Sequence, residues 1–450
     1  MNLAEKRVLV FGSGMSGIGA SHLLRREQAQ VILYDGNEAL NKKEIQESIG
    51  CDSCVEVILG VLEEEVINTL DLVILSPGVP TDLPVILKMK EKGIPIWGEV
   101  ELAYQFGKGQ VLAITGTNGK TTTTALLGEI MKAWKKQVFV VGNIGNPYTK
   151  AALQMTDDAV TVAEMSSFQL ESIDSFRPKV SAILNITEDH MNRHHTMEAY
   201  MAAKFAITKN QTQEDVCVLN YEDEILHHFA KNLLPRVLYF SSQRKLEQGI
   251  YLDQGHIIYK QTQPIEICTV NELQLLGMHN YENVMAAVAM AMAYGTPIEI
   301  VQQVIKNFGG VEHRIEYVGE KYGIMYYNDS KGTNPDAAIK GIQAMNRPTL
   351  LIGGGYDKDS VYDEWIQSFD GKVKYLVLIG ATKEKINETA KKCGFENTVL
   401  VDTLEEAVNL CAKLAETGDA VLLSPACASW GMFRNFEERG DKFKELVNRL

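Results

Sequence analysis

The chain has little cysteine, little proline, no surplus of positive charge and no long apolar run. Its seven cysteines are scattered over 450 residues, too irregularly for a disulfide framework. Cys51 and Cys54 form a C-x-x-C without a second pair, half of a usual zinc ligand set, so reduced thiols are the expectation. With 44 Lys and Arg against 58 Asp and Glu the net charge is −14. No dense basic run offers a nucleic-acid footprint. The most apolar helical stretch, Val284 to Tyr294 (VMAAVAMAMAY), is far short of the ~20 residues that cross a bilayer and reads as a buried helix. The opening MNLAEKR leads straight into a strand-like run without the apolar core of a signal peptide. The expectation is therefore a cytoplasmic chain with no membrane span and no nucleic-acid partner.

What is present is alternation. Apolar, β-branched runs such as RVLVFG, QVILYD, DLVILSPG, VLAITG, VTVAEM, VSAILNI, PTLLIGGG, VKYLVLIG and DAVLLSPA are separated by helical stretches. Continuous apolar strands between helices predict mainly parallel sheets covered on both faces, hence an α/β fold. The length suits about three domains of ~150 residues. Three blocks are visible: 1–98, 99–311 and 312–450.

Two of the blocks open on glycine loops. In VLVFGSGMSGIGA, Gly12, Gly14 and Gly17 follow a strand and open a helix, and Asp35 ends the next strand. That is the spacing of a dinucleotide fingerprint, with a helix N-terminus for the diphosphate and a carboxylate for a hydroxyl. This block alone predicts an NAD-dependent oxidoreductase. The same geometry serves any nucleoside diphosphate. The second block opens with AITGTNGKTTTT. The common phosphate loop reads G-x-x-x-x-G-K-[ST], which would put a glycine at 114. The chain has Ile114, and its nearest glycine is Gly116. Strand, loop, Lys-Thr and helix are nevertheless all in place, so residues 116–122 are a shortened version of the device. Lys120 can neutralise β- and γ-phosphates, and the Thr121 hydroxyl can reach Mg²⁺. Further on, Glu164 ends a strand and His190 sits in an acidic loop, where it reads equally as a surface residue. Asn280 and Asn283, in HNYENVMAA, read equally as helix caps. Lys204 by itself reads as a solvated helix lysine.

Together, GTNGKTT, EMSSFQLE, NITEDHMNRH, HNYENVMAA, EHRIEYV, NDSKGTNPDA, GGGYDKD and SPACASWGMFRNFEERG resemble the Mur ligase family, in family order and over nearly the whole chain. The GTNGKTT loop is shared with a wider superfamily that includes folylpolyglutamate synthases. The SPACAS and DSKGTN stretches narrow the resemblance to the branch that adds D-glutamate. The resemblance implies a UDP-binding Rossmann-like first domain, a central ATPase domain of the P-loop type and a Rossmann-like third domain. It implies an ATP-dependent, monomeric ligase of peptidoglycan precursor synthesis acting on UDP-N-acetylmuramoyl-L-alanine and D-glutamate. By the same resemblance Gly14, Met15, Ser16 and Asp35 hold the uridine diphosphate, and Asn143 lies near the muramoyl group. Gly116, Thr117, Asn118, Gly119, Lys120, Thr121, Thr122, Asn283, Arg314 and Asp329 bind ATP. Thr121, Glu164, His190 and Lys204 surround two Mg²⁺ ions, Lys204 as a carbamate. Lys331 stands at the acyl-phosphate junction, and Thr333, Lys358, Ser429 and Phe436 receive the amino acid. Two features depart from the family pattern: Gly431 follows CASW where many relatives have Asp, and the GGGYDKD loop is longer than usual.

Overall fold

The computed structural model describes residues 2–50, 55–143 and 147–450. Cys51 and Cys54 lie outside the described residues. The chain forms two compact units, Met1–Ile267 with Asn283–Val304, and Cys268–Glu282 with Ile305–Leu450.

The first unit carries two sheets. One contains β1 (Arg7–Phe11), β2 (Gln30–Asp35), β3 (Glu56–Leu59), β4 (Leu72–Leu75) and β5 (Ile96–Gly98) in the order β3-β2-β1-β4-β5. All of its pairings are parallel. The strand order reverses beside β1, so the crevice at its carboxyl end is the natural ligand position. The second sheet contains β6 (Gln110–Thr115), β7 (Val138–Gly142), β8 (Val160–Glu164), β9 (Val180–Ile183), β10 (Val216–Asn220), β11 (Arg236–Ser241), β12 (Gly249–Asp253), β13 (His256–Lys260) and β14 (Pro264–Thr269). Their order is β14-β13-β12-β11-β10-β9-β6-β8-β7. Here β6 lies between β8 and β9, so the loops after those three strands share one crevice. Val8, Leu9 and Val10 of β1, like Leu112, Ala113 and Ile114 of β6, are fully buried. Burial on both faces explains their unbroken apolar runs. The Val284–Ala291 stretch is buried throughout, as expected.

The second unit holds β15 (Glu316–Lys321), β16 (Ile324–Asn328), β17 (Thr349–Gly354), β18 (Val373–Ile379), β19 (Thr398–Leu400) and β20 (Ala420–Leu423), in the order β15-β16-β20-β17-β18-β19. Its core is built on β16, β17, β18 and β20.

Two antiparallel hairpins escape the sequence pattern, β12–β13 and β15–β16. Each turns on two residues with positive φ, Gln254 and Gly255 in one and Tyr322 and Gly323 in the other. That is the backbone of the tight hairpin turn usually announced by Asn-Gly or Asp-Gly. Gln and Tyr in the first position hide the signal.

Candidate active site

Strand β6 ends at Thr115, and the loop turns through Gly116 and Gly119 into the helix Lys120–Trp134. Gly119 has a φ of 85°, a left-handed conformation that costs any other side chain strain, and a Cβ there would also collide with the Asn283 side chain. The loop is clamped from the segment after β9. Asn185 accepts the Asn118 N–H at 2.8 Å with its side-chain oxygen and the Thr117 N–H at 3.0 Å with its backbone carbonyl. The Thr117 hydroxyl lies 3.0 Å from the Tyr200 hydroxyl and donates to the Thr187 carbonyl at 3.0 Å. Lys120 folds back over the loop, its Nζ donating to the carbonyls of Gly116 at 2.9 Å and Thr117 at 2.8 Å. Thr122 is buried, and Thr121 is partly exposed at the start of the helix. Asn283 lies well inside the helix Met278–Tyr294 and is no cap; its Oδ1 is 3.5 Å from the Thr123 hydroxyl. Asn280 donates to the Leu276 carbonyl at 2.7 Å.

Lys204 corrects its bland reading. It is only 2% exposed, lies on the helix Met197–Phe205 and donates from Nζ to the Gly116 carbonyl at 2.6 Å. Two lysine Nζ atoms thus meet on one carbonyl. Burial first, and then the charge of Lys120, push the Lys204 amine down to about 7, against the pull of Asp189 and Glu164. Its Nζ sits 4.7 Å from the centre of the Tyr200 ring. Glu164, at the end of β8, is 1% exposed. Its Oε1 accepts from the Asn143 amide at 2.8 Å, and its Oε2 is buried without a hydrogen-bond partner. A buried carboxylate oxygen left unsatisfied is costly, and a hard cation prefers such donors. The unsatisfied Glu164 oxygen therefore fits Mg²⁺. His190 is placed differently. It has a φ of 55°, is half exposed, and packs its ring 4.9 Å from that of Phe168 with Asp189 at 3.5 Å.

At the first glycine loop, Gly14 caps the helix Met15–Arg26 without a side-chain hydrogen bond to its amides. Met15 is 77% exposed beside it, and Ser16 lies one residue further into the first turn. Uncapped N–H groups at a helix start suit a diphosphate. Gly17 approaches the Gly12 carbonyl too closely for any side chain. Asp35 ties the loop itself: Oδ2 accepts the Ser13 N–H at 3.0 Å and its hydroxyl at 2.7 Å, while Oδ1 accepts the Asn37 N–H at 3.0 Å. Partial burial works against the charge, yet these hydrogen bonds outweigh it and hold the carboxyl below its ordinary value.

The second unit gathers its own groups at the carboxyl ends of β16 and β20. Asp329 is buried, accepting the Ser424 hydroxyl at 2.7 Å and the Ile315 N–H at 3.3 Å. Burial pushes it up to about 7 despite those bonds and the charges of Arg314 and Arg439. Arg314 is exposed, and Lys331 extends with its Nζ 5.5 Å from the Phe436 ring. Thr333 follows on the same loop, its N–H on the Lys331 carbonyl at 2.8 Å. Arg439, passed over in the sequence although NFEERG contains it, is 1% exposed and ties two loops. It donates to the Ser330 hydroxyl at 2.9 Å, the Ser330 carbonyl at 2.8 Å and the Cys427 carbonyl at 3.1 Å. Ser429 is buried on the second of those loops. Lys358 stands beside the same loop, its Nζ 4.9 Å over the Trp430 ring. Gly431 has a φ of 85° with open space around it, so an Asp there would meet backbone strain.

Three family descriptions match in sequence: the Mur ligase MurD-like N-terminal domain over 6–98, the Mur ligase middle domain over 114–291, and the Mur ligase glutamate ligase domain over 313–427. A UDP-N-acetylmuramoylalanine--D-glutamate ligase of Lachnoclostridium phytofermentans is 59% identical, covering 100% of this chain and 99% of that protein. One of Lachnospira eligens is 55% identical over 100% of both. Among solved structures, the UDP-N-acetylmuramate-alanine ligase MurC of Thermotoga maritima superimposes with a TM-score of 0.58 at 19% identity, covering 99% of each chain. A MurF of Acinetobacter baumannii gives 0.59 at 16%, covering 99% of this chain and 94% of that one. These two likenesses speak for the fold. With three consecutive domains matched and full-length relatives identical at more than half of their positions, this chain belongs to the Mur ligase family.

Proposed function

We propose that the chain joins D-glutamate to UDP-N-acetylmuramoyl-L-alanine at the expense of ATP, a step of peptidoglycan precursor synthesis. The single observation that carries the chemistry is the convergence of Lys120 and Lys204 on the Gly116 carbonyl beside the unpartnered oxygen of Glu164. Full-length relatives named for this reaction support the substrate choice. The oxidoreductase expectation for the first block gives way, because a hydride transfer has no use for the loop at 116–122.

In this reading the division is 1–98 for the sugar nucleotide, 99–311 for ATP and 312–450 for the amino acid, in a monomeric cytoplasmic enzyme. No helix among the described residues is long and apolar enough to cross a membrane. The amides of Gly14, Met15 and Ser16 hold the diphosphate, Asp35 orders their loop, and Asn143 faces the muramoyl group. The loop from Gly116 through Thr117, Asn118 and Gly119 to Thr122 cradles the ATP phosphates, and Asn283 backs it. The substrate's alanyl carboxylate attacks the γ-phosphorus, giving an acyl phosphate and ADP. Phosphoryl transfer needs positioning and charge neutralisation above all, which Lys120 supplies. Glu164 and Thr121, with His190 and Lys204 contributing, would hold Mg²⁺, which would supply charge neutralisation at the phosphate oxygens. The D-glutamate amine then attacks the activated carbonyl, and phosphate leaves from the tetrahedral intermediate. Lys331, Thr333, Lys358, Ser429 and Phe436 receive the two carboxylates and the stem of the amino acid, and Arg314 and Asp329 serve the nucleotide. An amine near pKa 7 is partly neutral at physiological pH, the form that reacts with CO₂. A carbamate formed from that amine and CO₂ would be an anion suited to the metal site. The test is phosphate release: it should require ATP, UDP-N-acetylmuramoyl-L-alanine and D-glutamate together, and L-glutamate should fail. Equal activity with a folate and L-glutamate would move the chain to a different ligase.

A further inference from the structure

Behind the phosphate loop lies a buried chain of side chains that the reaction as described does not use. His194 is 5% exposed. Its Nδ1 is 3.1 Å from Glu171 Oε1, and its Nε2 is 2.9 Å from the Ser167 hydroxyl. Burial favours the neutral ring, in which one nitrogen donates to Glu171 and the other accepts from Ser167. Hydroxyl, imidazole and carboxylate in this order suggest a hydrolytic triad, but Ser167 is 2% exposed and no acyl group reaches it. What the arrangement does is lock the ring. Glu171 is fixed in turn: its Oε2 accepts from Arg193 at 3.0 Å and lies 3.4 Å from the Thr81 hydroxyl, and Arg193 also donates to the Val79 carbonyl at 3.0 Å.

The locked ring has two aromatic neighbours. It stacks on Phe168 at 5.4 Å with 23° between the planes, and its centre lies 5.3 Å from that of Tyr200. Tyr200 has no exposed surface. Its hydroxyl holds the Thr117 hydroxyl at 3.0 Å, and its ring faces the Lys204 Nζ. Thr117 is the one side chain of the loop 116–119 that reaches both Tyr200 and the segment after β9. A tyrosine held in one rotamer therefore sets where the loop's first amides point, and amide direction is what a phosphate reads.

We propose that His194 is a positioning residue for ATP, acting through Tyr200 on Thr117 of the phosphate loop. The inference rests on the reading of residues 116–122 as the ATP loop. It names a residue that touches neither nucleotide nor metal, and its effect falls on ATP rather than on the sugar nucleotide. Steady-state kinetics with each substrate varied at saturating levels of the other two separates these. His194→Gln keeps a hydrogen-bonding side chain but loses the ring; Tyr200→Phe keeps the ring but loses the hydroxyl. Each should raise the KM for ATP about tenfold while the KM for UDP-N-acetylmuramoyl-L-alanine stays within about twofold. Because both act along one path, the double variant should be no more than about twofold worse than either single one. A multiplicative loss of about a hundredfold in the double variant would overturn the inference. So would an unchanged KM for ATP in His194→Gln. If that variant melts near the assay temperature, Ser167→Ala is read in its place. It frees one ring nitrogen, and a rise of about threefold in the KM for ATP is expected; no rise overturns the inference. A wild-type enzyme that releases no phosphate would instead refute the ATP reading itself, so the two failures are distinct.

Discussion

The two glycine loops of the first unit share a plan and differ in charge. Each follows a buried parallel strand and opens a helix, at Met15 in one and Lys120 in the other. The first is tied by a carboxylate, Asp35, and no cation folds over it among the contacts described. The second is tied by neutral amides and hydroxyls from Asn185, Thr187 and Tyr200, and carries the Lys120 and Lys204 side chains on the Gly116 carbonyl. Helix amides alone suffice to hold a diphosphate that stays intact. Moving a phosphoryl group spreads charge over oxygens that must be neutralised as the bond breaks. The difference between the loops is the difference between binding and reacting.

That comparison breaks most simply at Lys120. Lys120→Ala should lower phosphate release by about a thousandfold or more, ~4 kcal/mol of barrier. Near-normal turnover would place the chemistry elsewhere. Next comes Lys204→Arg, which keeps a positive charge but forms no comparable carbamate. Activity should fall about a hundredfold, ~3 kcal/mol, and wild-type activity should decline in CO₂-stripped buffer and return with bicarbonate. A variant rate within about threefold of wild type at saturating Mg²⁺ and ATP, under ~1 kcal/mol, would return Lys204 to a packing role.

On the binding loop the effect should be milder and of another kind. Asp35→Asn leaves Ser13 with a weaker acceptor, so the KM for the sugar nucleotide should rise about tenfold, ~1.4 kcal/mol, while kcat holds. A fall in kcat with KM unchanged would mean that this loop takes part in the chemical step. A further contrast sets Asp35 against Asp329, a second carboxylate at a sheet's carboxyl end. Asp329 is raised from 3.8 to about 7, so between those values the folded chain keeps a proton that the unfolded chain has released. Its contribution is fully present below pH ~4 and is lost as pH rises towards ~7. Urea midpoints of the wild type should fall over that window by more than those of Asp329→Asn. Parallel pH profiles would show that Asp329 titrates normally.

Much of this was legible in order and spacing. Periodicity alone placed β1, β2, β4, β6, β8, β9, β17, β18 and β20 and named the α/β class. The departure from the common phosphate-loop spacing did not hide the loop, because strand, Lys-Thr and helix sat around it. The hairpins at 254–255 and 322–323 were not legible, since Gln and Tyr do not advertise positive φ. Asn185 and Arg439 lay within motifs already noticed, yet a side chain that acts by tying loops carries no spacing signature of its own.

The sequence by itself determined the alternation of strand and helix, the two glycine loops and the acidic, thiol-poor character of the chain, because these follow from residue type and near-neighbour spacing. Tertiary structure alone decided which side chains lose their water. It buried Lys204 against Gly116 from 88 residues away, stranded one oxygen of Glu164, sank Asp329 beneath Ser424 and locked His194 between Glu171 and Ser167. Desolvation depends on what the folded chain packs around a group, and no local pattern records that.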